Sequence, residues 1–226
     1  MKARHRLARY HIRLGWIVGV PLLMWTVTGL FMAARPIQEV RGEGLLSPAA
    51  PLAFPTAAAL PPIGPRPVSS LTLQRTGTGP QWIVRYADGG ARRAEAATGR
   101  LLPPPSAAEA AAIVRSRYAG DAAIASVDRT PADSPPTDLR KPVAAWRVTM
   151  TDGTRFYLDS ATGEVLATRT RFWRAYDFMW GLHILDPAGR ENGHNPFLIL
   201  LAAVSLLTLV LALALLPMTV RRRKSR

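Results

Sequence analysis

Two uncharged apolar runs set the limits on what this 226-residue chain can fold into. Leu14 to Ala34 contains no charge over 21 residues, and Phe197 to Met218 contains none over 22. At 1.5 Å rise per residue, each is long enough as a helix to cross a hydrocarbon core of about 30 Å. A core helix of a water-soluble domain seldom stays apolar on every side for that length. The first run is also longer than the 7–15 apolar residues or so of a secretory leader, and Met32-Ala33-Ala34-Arg35-Pro36 is a poor cleavage site. The expectation is two transmembrane helices, at 14–34 and 197–218.

The formal charge of +14 resolves once it is mapped onto those runs. Lys2, Arg4, Arg6, Arg9 and Arg13 form a basic tail at 1–13, and Arg221, Arg222, Arg223, Lys224 and Arg226 a second at 219–226. All the acids lie between them. Basic clusters beside both spans predict that both termini are cytoplasmic, at the bacterial inner membrane, with residues 35–196 displayed in the periplasm. The tails are expected to rest on anionic lipid. No aromatics are interleaved with them, so nucleic acid is not an expected partner. The chain has no cysteine, which removes disulfides, thiolate metal sites and a Cys nucleophile.

Between the spans, residues 35–67 form a Pro-rich lead-in with seven prolines from 47 to 67. Beyond it the chain repeats. Trp82, Val84, Asp88, Gly89, Thr98 and Gly99 recur sixty-four residues later as Trp146, Val148, Asp152, Gly153, Thr162 and Gly163. Alternation such as Trp146-x-Val148-x-Met150 marks half-buried strands, and each Asp-Gly supplies the positive φ of a hairpin. Glu164 to Thr168 reads as a third strand. Ser106 with Glu109 is a capping box opening a helix to Tyr118, with Gly120 just past its end. Ala110, Ile113 and Val114 share its sheet-facing side. The first unit's matching helix is eroded to about Pro55–Leu60, and Pro131–Pro142 is a linker before the second Trp strand. The expected fold is membrane α plus α+β: unit 1 at 68–105 is degenerate, and unit 2 spans 106–170.

A helix followed by Trp-x-Val, Asp-Gly and Asp-x-x-Thr-Gly-Glu resembles a PepSY domain. Tyr10-His11-Ile12-Arg13-Leu14-Gly15-Trp16, Trp25-Thr26-Val27-Thr28-Gly29-Leu30 and Trp180-Gly181-Leu182-His183 are similar to the flanks of PepSY-associated transmembrane proteins. The resemblance implies a setting near envelope or iron-uptake machinery. Larger relatives have about four spans, and some are haem-containing ferric-siderophore reductases. Transposed from them, His11 and His183 are the candidate axial ligands of a haem b. PepSY domains elsewhere are associated with inhibiting or chaperoning peptidases.

The residues themselves constrain that transfer. His11 and His183 flank different spans at opposite membrane faces, so haem binding requires a dimer pairing like with like, a partner subunit, or a local His183–His194 pair across the loop between them. Asp186, Glu191 and His194 have the composition of a surface loop, and no metal site is expected there. No nucleotide, nucleophile-elbow or zincin fingerprint occurs, so catalysis by the domain alone is not expected. Trp173 and Trp180 belong to an aromatic segment at 171–196, read as an interfacial belt or a partner-docking surface. Gly15 and Gly19 are spaced for close helix approach, packing the first span on the second or pairing two copies. The leading expectation is a membrane-anchored PepSY binding or accessory protein with a protein partner in the membrane or periplasm. A haem-bearing electron-transfer component and a periplasmic peptidase inhibitor are the alternatives.

Overall fold

The computed structural model describes residues 2–48, 51–52, 58–76 and 79–223, and they form two compact units. One comprises residues 1–36 with 175–226, the other residues 37–174.

The first unit is helical. Helix α1 (Lys2–Ala33) already includes the basic N-terminal residues. Within it and within α5 (Pro196–Arg223), Arg4–Ala33 and Pro196–Pro217 are long and apolar enough to cross a membrane. Asn195 caps α5: its Oδ1 accepts from Leu198 N at 2.8 Å, and Pro196 occupies the first helical position, where no N–H is needed. Val18, Thr28 and Thr208 are buried in this unit. Gly15 and Gly19 are not part of that packing. A Cβ built on either would meet nothing within 4 Å, so the glycine pair does not join the two long helices.

The second unit opens with a short helix, α2 (Ile37–Arg41), in which Val40 is fully buried. Two four-stranded antiparallel sheets follow. The first is β1 (Val68–Thr76), β2 (Gly79–Tyr86), β3 (Ala91–Glu95) and β4 (Leu101–Leu102), in that order. Helix α3 (Ala107–Arg117) separates it from β5 (Ile124–Thr130), β6 (Ala145–Met150), β7 (Arg155–Asp159) and β8 (Val165–Arg169). Helix α4 (Arg171–His183) leads out, with Thr170 Oγ1 accepting from Trp173 N at 2.8 Å.

Each sheet therefore has one strand more than the three read from the sequence. β1 and β5 were missed because polar residues outnumber apolar ones in both; each also bulges just after its first residue, between Val68 and Ser70 and between Ile124 and Ser126. The bulges face equivalent partners, Tyr86 and Met150, and Trp82 pairs with Ala94 as Trp146 pairs with Leu158. The duplication thus extends to strand order, register and irregularity. The matching helix does not follow it. Of Pro55–Leu60, residues 55–57 lie outside the described residues, and 58–60 are not helical.

Helix α3 forms as its sequence predicts. Ser106 Oγ accepts from Glu109 N at 3.2 Å, and Glu109 Oε2 accepts from Ser106 N at 3.0 Å. Ala110, Ile113 and Val114 pack on Val148, Met150, Phe156 and Leu158, the helix-facing side of the second sheet. Leu139, Ala145, Tyr157 and Ala167 form a smaller core on its opposite face. The Pro131–Pro142 linker is thus packed rather than loose: it supplies the buried Asp138 and Leu139.

Candidate functional site

Most of the repeated signature residues build turns. Asp88 Oδ1 accepts from Gly90 N at 2.9 Å, and Asp152 Oδ1 accepts from Thr154 N at 2.8 Å. Gly89 and Gly153 hold φ of 85° and 82° between them. The backbone N–H of Gly90, then Arg66, hold the Asp88 carboxyl below its usual range. At the next turn, Gly99 N donates to Glu95 O at 2.9 Å, as Gly163 N donates to Asp159 O at 2.8 Å. Thr98 and Thr162 hydroxyls donate to Glu95 and Glu164 and accept from Arg100 N and Glu164 N. The two tryptophans tie each sheet to preceding chain: Trp82 Nε1 donates to Ala59 O at 3.0 Å, and Trp146 Nε1 to Pro105 O at 2.9 Å. Trp173 lies 4.1 Å beneath the Arg169 guanidinium, and Trp180 Nε1 donates to Arg190 O at 3.1 Å.

The two sheets and α3 enclose a groove of about 540 Å³. Gln74 and Arg75 of β1 line one side, Ile113, Ser116 and Arg117 of α3 the floor, and Glu164 the far rim. Two ion pairs tie the first sheet to the α3 unit. Arg85 reaches Glu164. The buried Arg93 meets both carboxylate oxygens of Glu109 at 3.0 Å and donates to Pro103 O at 2.7 Å. Glu109 therefore caps the helix and anchors the other sheet at once. Arg93 and Arg85 were not singled out in the sequence. Their register opposite Ile83 and Ala91 carries no signal without the pairing itself.

A second constellation was also invisible in sequence. Asp138 Oδ1 accepts from Tyr157 Oη at 2.6 Å, its Oδ2 from Arg155 at 3.0 Å, and its backbone carbonyl from Arg169 Nε at 2.6 Å. Burial first, and then the hydrogen bond to Asp138, push the Tyr157 phenol up to about 12. The signal that existed was an aspartate in a proline-rich linker, a composition that reads as solvated loop.

Of the four histidines, His11 and His183 are packed between helices, whereas His194 is exposed in a turn. His183 Nδ1 is 2.9 Å from Thr28 Oγ1, its ring stands beside Gly29, and its carbonyl accepts from the Trp25 indole. His11 Nδ1 is 3.2 Å from Thr208 O. Thr208 is twelve residues into α5, about 18 Å along it. His11 therefore stands beside the middle of that helix's apolar stretch, not at its end as the sequence implied. Seventeen residues of α1 separate His11 from Thr28, roughly 26 Å at helical rise. Two imidazoles ligating one iron must each lie at about 2 Å, as in other first-row sites. The two histidines do not fit one haem within a single chain. Asp186, Glu191 and His194 do not assemble either: the Asp186 carboxylate accepts from Gly189, Glu191 and Asn192 N–H groups and closes its own loop. Among the described residues no three His, Asp or Glu side chains converge as metal ligands.

Residues 106–169 match the family model described as peptidase propeptide and YPEB domain, PepSY. The match covers α3 and the whole second sheet and leaves out the first sheet and the long helices. No curated protein and no solved structure matches the chain.

Proposed function

The chain carries a PepSY domain at residues 106–169, and from that we propose that it is a membrane-tethered accessory protein that holds a protein partner at the periplasmic face. In this reading α1 and α5 cross the bacterial inner membrane, both termini are cytoplasmic, and residues 37–174 are displayed outside. One observation carries it: a complete, capped PepSY module, closed against a second sheet, lies in sequence between two helices apolar enough to anchor it. The groove over Ile113 and Ser116 is the surface offered to the partner, with the charges of Arg75, Arg117 and Glu164 among its lining. Envelope or iron-uptake machinery is the setting that the resemblance to PepSY-associated membrane proteins implies.

A second reading, inhibition of a peptidase, is favoured by the description of the matching family. The two separate on the partner. Full-length chain purified from native membranes is expected to bring down one protein in near-stoichiometric amount. Ser116→Trp, which fills the groove, should reduce that yield by roughly tenfold, the size of a 1.4 kcal/mol loss. If the partner is a peptidase whose hydrolysis the chain slows, the inhibitor reading stands. A chain isolated alone, or a partner retained equally by Ser116→Trp, contradicts the proposal. A Soret band in the purified chain, lost in His11→Ala or His183→Ala, would replace it with a haem-bearing component assembled between chains.

A further inference from the structure

The second sheet has two faces of unlike chemistry. One is the apolar floor beneath α3. On the other, the register sets Arg147 beside Asp128 and Tyr157, and places Arg155 directly opposite Arg169. Like charges directly opposed across a ladder destabilise it, so folding alone does not select that pair. Asp138 holds both, one at its carboxylate and one at its carbonyl. The first turn of α4 adds two more cations. Arg171 lies against Gly153 at the β6–β7 turn, and Arg174 donates to Arg169 O at 3.4 Å. Burial first, and then the neighbouring Arg155, push the Arg174 guanidinium below its ordinary value. Arg140 joins Arg169 over the Trp173 ring. Against Asp128, Asp138 and Asp159 on this face and Asp152 at the turn, these six arginines leave an excess of two charges.

Clustered guanidinium groups suit phosphate, whose oxygens match their planar fork of donors. Chain connectivity says which phosphates are near. Arg174 precedes His183 by only nine residues of chain. The His183 ring in turn bonds Thr28, five residues before α1 ends at Ala33. Helix α4 carries Phe172, Trp173 and Tyr176, residue types favoured at headgroup level. We propose that this arginine-lined sheet face, with the first turn of α4, docks on the phosphates of anionic phospholipids in the membrane that anchors the chain. This rests on reading α1 and α5 as spans.

The test is hydrogen exchange of the full chain in nanodiscs of phosphatidylcholine alone and with phosphatidylglycerol added. Peptides covering residues 138–149 and 165–174 are expected to exchange roughly fivefold or more slowly with phosphatidylglycerol, from the attraction of several arginines to an anionic surface. The α3 peptide should not change. Arg147→Gln combined with Arg171→Gln should abolish the slowing while α3 stays protected, which separates lost docking from lost folding. Equal exchange in the two discs overturns the proposal and leaves the spans intact. So does equal slowing in the double variant, or the same slowing by inorganic phosphate in phosphatidylcholine discs, which would make this a free-phosphate site. A chain that does not enter the discs overturns this proposal and the reading of the spans together.

Discussion

Asp138 is the residue on which the second sheet's outer face depends, because it satisfies a buried phenol and a guanidinium together. Asp138→Ala leaves both without their acceptor, and the expected cost is about 2 kcal/mol, read as a lowered thermal midpoint of the detergent-solubilised chain. Tyr157 gives a pH test. Its folded-state value, about 12, lies above the ordinary 10, so the folded chain keeps its proton where the unfolded chain has lost it. Stability from this group is complete below pH 10 and falls as pH rises from 10 through about 12, by an amount of order 2 kcal/mol. Tyr157→Phe should remove that alkaline decline, and an unchanged decline in the variant would contradict the assignment. Neither residue was legible beforehand. Nineteen residues separate them, and only the packed linker brings them together. The histidines, by contrast, were legible as residues at the helices but not in their partners, Thr28 and Thr208.

The elements differ in how openly the sequence declared them. Helix α3 was readable in full, since its cap, its apolar stripe and its end depend on neighbours within a few positions. Ser106→Ala should cost about 1 kcal/mol in unfolding, the ordinary worth of such a cap. Gly163 was readable as a turn, and the structure adds a second demand. At φ +80° a Cβ would also stand 3.1 Å from Ile113 Cδ1 and 3.3 Å from Pro105 Cγ, under α3. Gly163→Ala should therefore lower the thermal midpoint more than Gly89→Ala, which has the same backbone strain (φ +85°) but open space. Equal losses would mean that the contact with Ile113 carries no weight. β1 and β5 stayed hidden because polar residues outnumber apolar ones in both, so neither shows the apolar alternation of a half-buried strand. The eroded helix read at Pro55–Leu60 does not reach 58–60, where Ala59 instead donates to Ala96 O and receives the Trp82 indole, and its first residues lie outside the described ones.

At the scale of the molecule, the two apolar helices, the duplicated sheets and the PepSY module were all visible in the order of short motifs. The register between α1 and α5 was not. Composition bounds each apolar run separately, whereas pairing is set by contacts such as that of His11 with the Thr208 carbonyl. The Gly15–Gly19 spacing pointed to helix contact and instead faces away from α5, because Val18 and Thr28 take the buried side. The display of the PepSY domain outside a membrane crossed twice is the central claim, and the chain's lack of cysteine makes it directly measurable. Single cysteines would be introduced at Ala125, exposed in β5, and at Arg6, exposed in the first turns of α1, and intact cells treated with a membrane-impermeant maleimide. Once the outer membrane is opened, Ala125→Cys should label fully and Arg6→Cys only after detergent lysis. Labelling of both before lysis, or of neither, would contradict the account.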